Sequence, residues 1–294
     1  MLEPLADWII NIYNQMYGSG EVFDTIKRYN DLYAQLLETD VFQMLAAAIM
    51  SIGIAMMLLF FFIDLADKIK VREFTMEQFI RAFIGLLISF FLIVNSLDLL
   101  KAFVEFGEGL AGILNESSEP ARFFENTENV EKFAKGVGKI DIFPAVGYAV
   151  KTLVPALISW IASIVVIFIA VSRLVEMTIR TVFAPFAVAD CYQDGSRSNG
   201  IRYLKKFLAL ALQFALIVGI NIGVAFIMKQ VIGGDAGMDM TAVFGDGKFA
   251  EKDCMEFLDN LLGGDDFWLC MGLLVTKIGL MIKSMSIAND IVGV

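Results

Sequence analysis

TLVPALISWIASIVVIFIAVS, residues 152–172, contains no charged side chain, and it is bounded by Lys151 on one side and Arg173 on the other. Coiled as a helix, with a rise of about 1.5 Å per residue, it spans about 30 Å, the thickness of the hydrocarbon core of a bilayer. Inside lipid every backbone amide must be satisfied within its own segment, so a run of this kind is helical. This stretch decides the fold: the solvent to assume is the bilayer.

Three further stretches have the same length and character: Gln43–Ile63, Ala82–Leu100 with Asp98 near its end, and Phe207–Met228. A fifth, Phe267–Ile282, is shorter and contains Lys277, whose aliphatic stem can reach toward the interface. Composition agrees. The chain is 57% hydrophobic and 19% charged, with a mean hydropathy of +0.69, whereas soluble domains are about 45–50% apolar and about a quarter charged. The expected fold is an all-α polytopic membrane protein with about five transmembrane helices, preceded by N-terminal amphipathic helices.

Those N-terminal helices are read from spacing. Leu5, Trp8, Ile9, Ile12 and Met16 recur at helical intervals, and Val22, Ile26, Tyr29, Tyr33, Leu36 and Leu37 do so after Gly18–Gly20. Two destinations remain open for them: the outer membrane interface, or the surface of neighbouring protein. No cleavable leader is expected in the first forty residues.

Basic residues set the expected orientation, because Lys and Arg in short connections near span ends stay on the cytoplasmic side. Residues 64–81 and 173–206 hold ten Lys and Arg in 52 residues, while 1–42, 98–151 and 229–266 hold eleven in 134 residues beside 25 acidic ones. The N-terminus is therefore expected outside and the C-terminus in the cytoplasm. The organisation that follows has outer amphipathic helices at 1–42 and two spans at 43–100 around a cytoplasmic loop 64–81. A large outer loop occupies 101–151, and the third and fourth spans lie at 152–228 around a basic hairpin 173–206. An acidic outer loop at 229–266 precedes the fifth span and a short tail at 267–294.

The hairpin has local detail. Arg173, Glu176 and Arg180 share one helical face, with Glu176 and Arg180 spaced to pair. Pro185 is expected to end the helix, since it lacks an amide donor and crowds the preceding turn. DGSRSNG, residues 194–200, supplies turn residues, with Ser198 or Asn199 placed to cap a new helix that opens with Ile201, Arg202, Lys205 and Lys206.

Several chemistries are excluded. The chain has no histidine, so imidazole metal ligands and His-based nucleophile pairs cannot form. It has no GxxxxGK[ST] and no CxxC, and GGDAGMDMTAVFGDGKF, residues 233–249, lacks the carboxylate spacing of an EF-hand loop. No metal or cofactor is expected, and no catalytic residues are assigned. A net charge of −10 argues against a tight grip on nucleic acid. Cys254 and Cys270 fall on the expected outer side, as a disulfide or as two thiols, and Cys191 on the inner side.

Polar residues inside the spans are candidates for a pore lining or for helix packing: Asn95, Gln213, Asn221 and Lys277. In GINIG, residues 219–223, the glycines flanking Asn221 permit close backbone approach.

The segment IRTVFAPFAVADCYQDGSRSNGIRYLKKFLALALQ, residues 179–213, resembles the signature region of the TrbL/VirB-type polytopic channel subunits of type IV secretion systems. The matching positions are Arg180, Ala184, Pro185, Ser198, Tyr203, Leu204, Lys205 and Lys206. The family layout, with an outer N-terminus, about five spans and a large outer loop, agrees with the charge count. The resemblance implies a homo-oligomeric inner-membrane subunit of a conjugation machine, working beside a transfer ATPase and making transient contact with single-stranded DNA and its relaxase. The helix–break–helix shape of the hairpin makes Arg180, Pro185, Arg202, Lys205 and Lys206 the candidate surface for docking a cytoplasmic partner, and the resemblance makes Arg122, Lys132, Lys135 and Lys139 the candidate substrate-contacting cations of the outer loop. Competing readings are a secondary transporter for a small solute, which would normally show an internal repeat, and an intramembrane enzyme, which would need paired carboxylates or a nucleophile within the spans.

Overall fold

The computed structural model describes residues 3–17, 20–70, 75–117, 127–189, 191, 198–234, 258–259, 262–263 and 265–294. Among them are nine helices and no strand. These are α1 (Glu3–Tyr17), α2 (Gly20–Leu37), α3 (Asp40–Lys70), α4 (Met76–Val94), α5 (Ser96–Ser117), α6 (Thr127–Gly138), α7 (Ile142–Val188), α8 (Asn199–Gly234) and α9 (Asp265–Val292). Five of them, α3, α4, α7, α8 and α9, are long and apolar enough to cross a membrane. They coincide with the five expected stretches, and the all-α polytopic class stands.

Their boundaries differ from the expected ones where local hydrogen bonds intervene. The second span starts at Met76, because Thr75 and Gln78 form a capping box: the Thr75 hydroxyl accepts from the Gln78 amide at 3.3 Å. It ends at Asn95 rather than Leu100. The Asn95 side chain donates to the Phe91 carbonyl at 2.8 Å, and its own amide bonds the same oxygen at 3.0 Å. Ser96 then donates to the Ile93 carbonyl at 2.8 Å. Short polar side chains that take backbone partners this way compete with the helical ladder. Asn95 is thus a cap at the junction of α4 and α5, not a mid-span amide, and Asp98 falls in the first turn of α5.

Pro185 does not end α7. The helix runs 47 residues, to Val188, which at 1.5 Å per residue is about 70 Å, more than twice the hydrocarbon thickness. Proline at this position deprives only the Thr181 carbonyl of its helical partner, and the helix stops three residues later. The Ser198 hydroxyl accepts from the Ile201 amide at 3.2 Å and caps α8; residues 190 and 192–197 lie outside the described residues.

The chain divides into two compact units. The first comprises Met1–Ile26, Ala111–Ile169 and Ala215–Ser284. Here α1 packs on α6, and Ile9, Phe133 and Val137 are fully buried together with Met228 of α8 and Leu274 of α9. Tyr148 of α7 donates to the Asp259 carboxylate at 2.8 Å. The N-terminal amphipathic face of α1 is therefore covered by protein of the same chain.

The second unit comprises Lys27–Leu110, Ala170–Phe214 and Met285–Val294. Its core joins Tyr33 of α2, Met57 of α3, Ile93 of α4, Leu100 and Val104 of α5, Met177 of α7, and Phe207 and Leu210 of α8. Of the five apolar helices α8 is the most enclosed and α4 the least. Lipid-sized apolar surface is correspondingly left outside on the others: Phe91, Trp160, Phe168 and Trp268 are each about two-thirds exposed, as expected of helices whose solvent is hydrocarbon.

Candidate functional site

Arg173 was expected on a helical face of the basic hairpin just beyond the third span, and the structure places it in the interior of the second unit, 3% exposed. Its Nε donates to the Leu210 carbonyl at 2.9 Å, Nη2 to the Ala211 carbonyl at 3.3 Å, and Nη1 to Asn30 Oδ1 at 3.0 Å. The guanidinium also lies 5.6 Å from the Phe214 ring centroid. Helical carbonyls keep a second lone pair after their own ladder bond, so α8 can accept from the arginine without breaking. Asn30 Nδ2 is 3.4 Å from Glu108 Oε2, which places a carboxylate one residue removed from the buried cation. One side chain thus ties α2, α7 and α8 together, with α5 joined through Asn30. A buried charge is tolerated only when hydrogen-bonded in this manner.

One turn further on, the Tyr33 hydroxyl and Thr181 Oγ1 are 2.7 Å apart, and Thr181 in turn donates to the Met177 carbonyl at 2.8 Å. Burial pushes the Tyr33 phenol up to about 12, opposed by the bond to Thr181 and by the positive charge of Arg173.

Two glycines set the helix crossings around this network. A Cβ added at Gly53 of α3 would stand 2.7 Å from the Pro185 carbonyl oxygen, and one at Gly107 of α5 would meet the Ala211 carbonyl. Both helices therefore approach backbone to backbone, which only glycine permits. Gly219 and Gly223, by contrast, make no such approach: the nearest atom to a Cβ at Gly219 is Leu114 Cδ1 at 3.8 Å, and nothing lies within 4 Å at Gly223. Within the chain, the backbone-to-backbone approaches are thus at Gly53 and Gly107.

The candidate docking residues separate into two groups. Arg202, Lys205 and Lys206 are exposed along one face of α8, while Leu204 and Phe207 on the other face are buried. Arg180 is half-buried, paired with Glu176 at 2.7 Å, with its guanidinium 5.8 Å from the Tyr203 ring centroid and its carbonyl accepting from the Tyr203 hydroxyl. Pro185 is buried against Gly53. Arg180 and Pro185 thus hold α7 to its neighbours.

On the other expected side, Lys135 and Lys139 are exposed at the end of α6, and Lys132 is half-buried. Arg122 lies outside the described residues, as does Cys254; Cys270 is buried in α9 and Cys191 beside the end of α7. Gln213 and Asn221 are both buried on α8. Lys277, 5% exposed, lines a cavity in the first unit. Among the described residues no group of three His, Cys, Asp or Glu is arranged to hold a metal.

These elements define an α-helical, multi-pass membrane protein. Residues 19–185 match the model of the TrbL/VirB6 plasmid conjugal transfer-like family. That match covers more than half of the chain, and the chain belongs to this family. It extends from the start of α2 to Pro185, so the region that carries it is the set of helices α2–α7; of the eight motif positions named from sequence only Arg180, Ala184 and Pro185 fall inside it. No curated protein and no solved structure matches the chain. The chain is accordingly a membrane component of a conjugal transfer system.

Proposed function

We propose that the chain is an integral subunit of the inner-membrane channel of a type IV conjugation machine, helping to form the conduit for single-stranded DNA with its attached relaxase. The observation that carries this reading is the family match over residues 19–185. It is oriented with its N-terminus outside and its C-terminus in the cytoplasm, and it assembles with copies of itself and with a separate transfer ATPase. The charge distribution supports the orientation: basic residues concentrate in 64–81 and 173–206. An acidic chain suits a conduit that must release its cargo, because phosphate retention needs dense Lys and Arg. The sequence has no GxxxxGK[ST] motif, and this reading assigns ATP hydrolysis to partners.

The test is an in-frame deletion in the host element. Transfer frequency should fall to background and return when the intact chain is supplied in trans, while membrane insertion of the other subunits is unchanged. Unaltered transfer, with loss of uptake of a small solute, would replace this reading by a transporter. Orientation is tested by single cysteines at Met76 and at Gly138, both exposed, the second with open space for a side chain. An impermeant thiol reagent added to intact cells should label only Gly138→Cys.

A further inference from the structure

One exposed apolar stripe follows α7 from end to end: Phe143, Leu157, Ile164, Val171 and Phe186 all lie on it. Its positions recur every three or four residues, so it holds to one side of the helix. Lys151, Glu176 and Arg180 fall along a flank and do not interrupt it. At 1.5 Å per residue the stripe is about 65 Å long. The hydrocarbon core is about 30 Å thick and is filled by the charge-free residues 152–172; even a tilt of about 40° lengthens the stretch within it only to about 39 Å. Lipid therefore leaves both ends of the stripe uncovered. Phe143, Val146 and Val150 project beyond one edge of the core, and Val175, Ile179 and Phe183 beyond the other, with Phe143 93% exposed and the rest about half exposed. Contiguous apolar surface outside lipid marks a contact with protein.

We infer that the stripe is the seam between two copies of this chain, α7 packing in parallel against α7 of the second copy about a two-fold axis along the bilayer normal. The inference deepens the proposed channel role and rests on the self-assembly in that reading. Both ends of the stripe need cover, on opposite sides of the bilayer and on one helical face. A soluble partner reaches one end only. The partner must cross the membrane as a helix that is apolar over the same length, and among the described residues α7 itself is the helix that meets this requirement, with 47 residues against 36 for α8. Parallel copies of one helix match level by level, apolar against apolar from Phe143 to Phe186, while the flanking charges stay in water. The opposite face of α7, with Tyr148, Val166, Met177 and Val188, is already buried within the chain. The stripe is the face left for a partner, and the contact is isologous.

The experiment is oxidative cross-linking of the full chain in membranes of cells that lack the other machine subunits, so its outcome is independent of conjugal transfer. Val150→Cys and Phe183→Cys, one at each end of the stripe, should each form a covalent dimer under oxidant. The parent, with its own cysteines, is the blank. Phe91→Cys on α4 and Trp268→Cys on α9, at positions about two-thirds exposed, should stay monomeric. As a second measurement, Val150→Glu and Phe183→Glu should each raise the dissociation constant of the dimer at least about tenfold by native mass spectrometry, with the thermal midpoint of the folded chain unchanged, as for other surface substitutions. Cross-linking at one end only, equal cross-linking at Phe91→Cys, a dimer indifferent to both glutamates, or cross-links that appear only when other machine subunits are co-expressed would each overturn the inference. Loss of transfer on deletion would stand in every one of these cases.

Discussion

Arg173 Nη1 donates to Asn30 Oδ1 at 3.0 Å, joining residues 143 positions apart in the chain. The bond makes α2, whose composition is that of a charged surface helix, part of the core of the second unit. Removing one partner of a buried charge leaves the remainder uncompensated, at roughly 3–5 kcal/mol. Arg173→Ala should therefore abolish a measurable folded state or lower the thermal midpoint in detergent sharply. Asn30→Ala should cost less, about 1–3 kcal/mol. The double variant should be less destabilised than the sum of the two; strict additivity would show that the bond carries no coupling.

Gly53 lies against the Pro185 carbonyl with no room for a methyl group. Gly53→Ala should destabilise by about 1–3 kcal/mol through forced separation of α3 and α7. Gly109→Ala is the matched control, since nothing lies within 4 Å of a Cβ there; on propensity alone it should stabilise α5 by roughly 0.5–1 kcal/mol. Opposite signs for the two substitutions, read from thermal midpoints in the same detergent, are the expected result.

The five long helices were legible because each is a charge-free or nearly charge-free run, and hydropathy requires no knowledge of neighbours. The end of α4 was not, because Asn95 stops the helix through a side-chain bond to Phe91, a local competition that an apolar window does not register. The burial of Arg173 was not legible, since its partners lie 37, 38 and 143 residues away, and spacing alone does not bring them together. The same holds for glycine. GINIG looks like a packing motif and Gly53 does not, yet which glycine meets a backbone depends on where helices cross. The pairing of Glu176 with Arg180 and a cap at Ser198 were readable because each is settled within four residues.

Tyr33 provides a pH test. Its phenol is held up to about 12 by burial, whereas an unfolded tyrosine titrates near 10. A group raised in the folded state contributes stability that is fully present below the unfolded value and is lost as pH climbs through the folded one. Stability should thus be insensitive to Tyr33 below about pH 9 and fall between about pH 10 and 12, by up to roughly 2–3 kcal/mol. Tyr33→Phe should remove that part of the alkaline decline while costing about 1 kcal/mol at neutral pH for the lost bond to Thr181. Parallel pH profiles of parent and variant would contradict the assignment.

The two groups of candidate docking residues make opposite predictions. Arg202, Lys205 and Lys206 are exposed on a face of α8 whose reverse side is packed, so replacing all three by alanine removes surface charge and little else; surface substitutions of this kind usually shift stability by less than about 0.5 kcal/mol. If that face meets a cytoplasmic ATPase, the triple variant should accumulate and melt as the parent does, yet lose co-purification with the ATPase and lower transfer, more steeply at high salt where the remaining attraction is screened. Arg180 carries its charge into the Glu176 and Tyr203 contacts instead. Arg180→Ala should therefore lower the thermal midpoint, and any loss of transfer should scale with the loss of folded protein. A triple variant that is stable and transfers normally would remove α8 from the docking surface, because no packing defect would remain to account for the outcome.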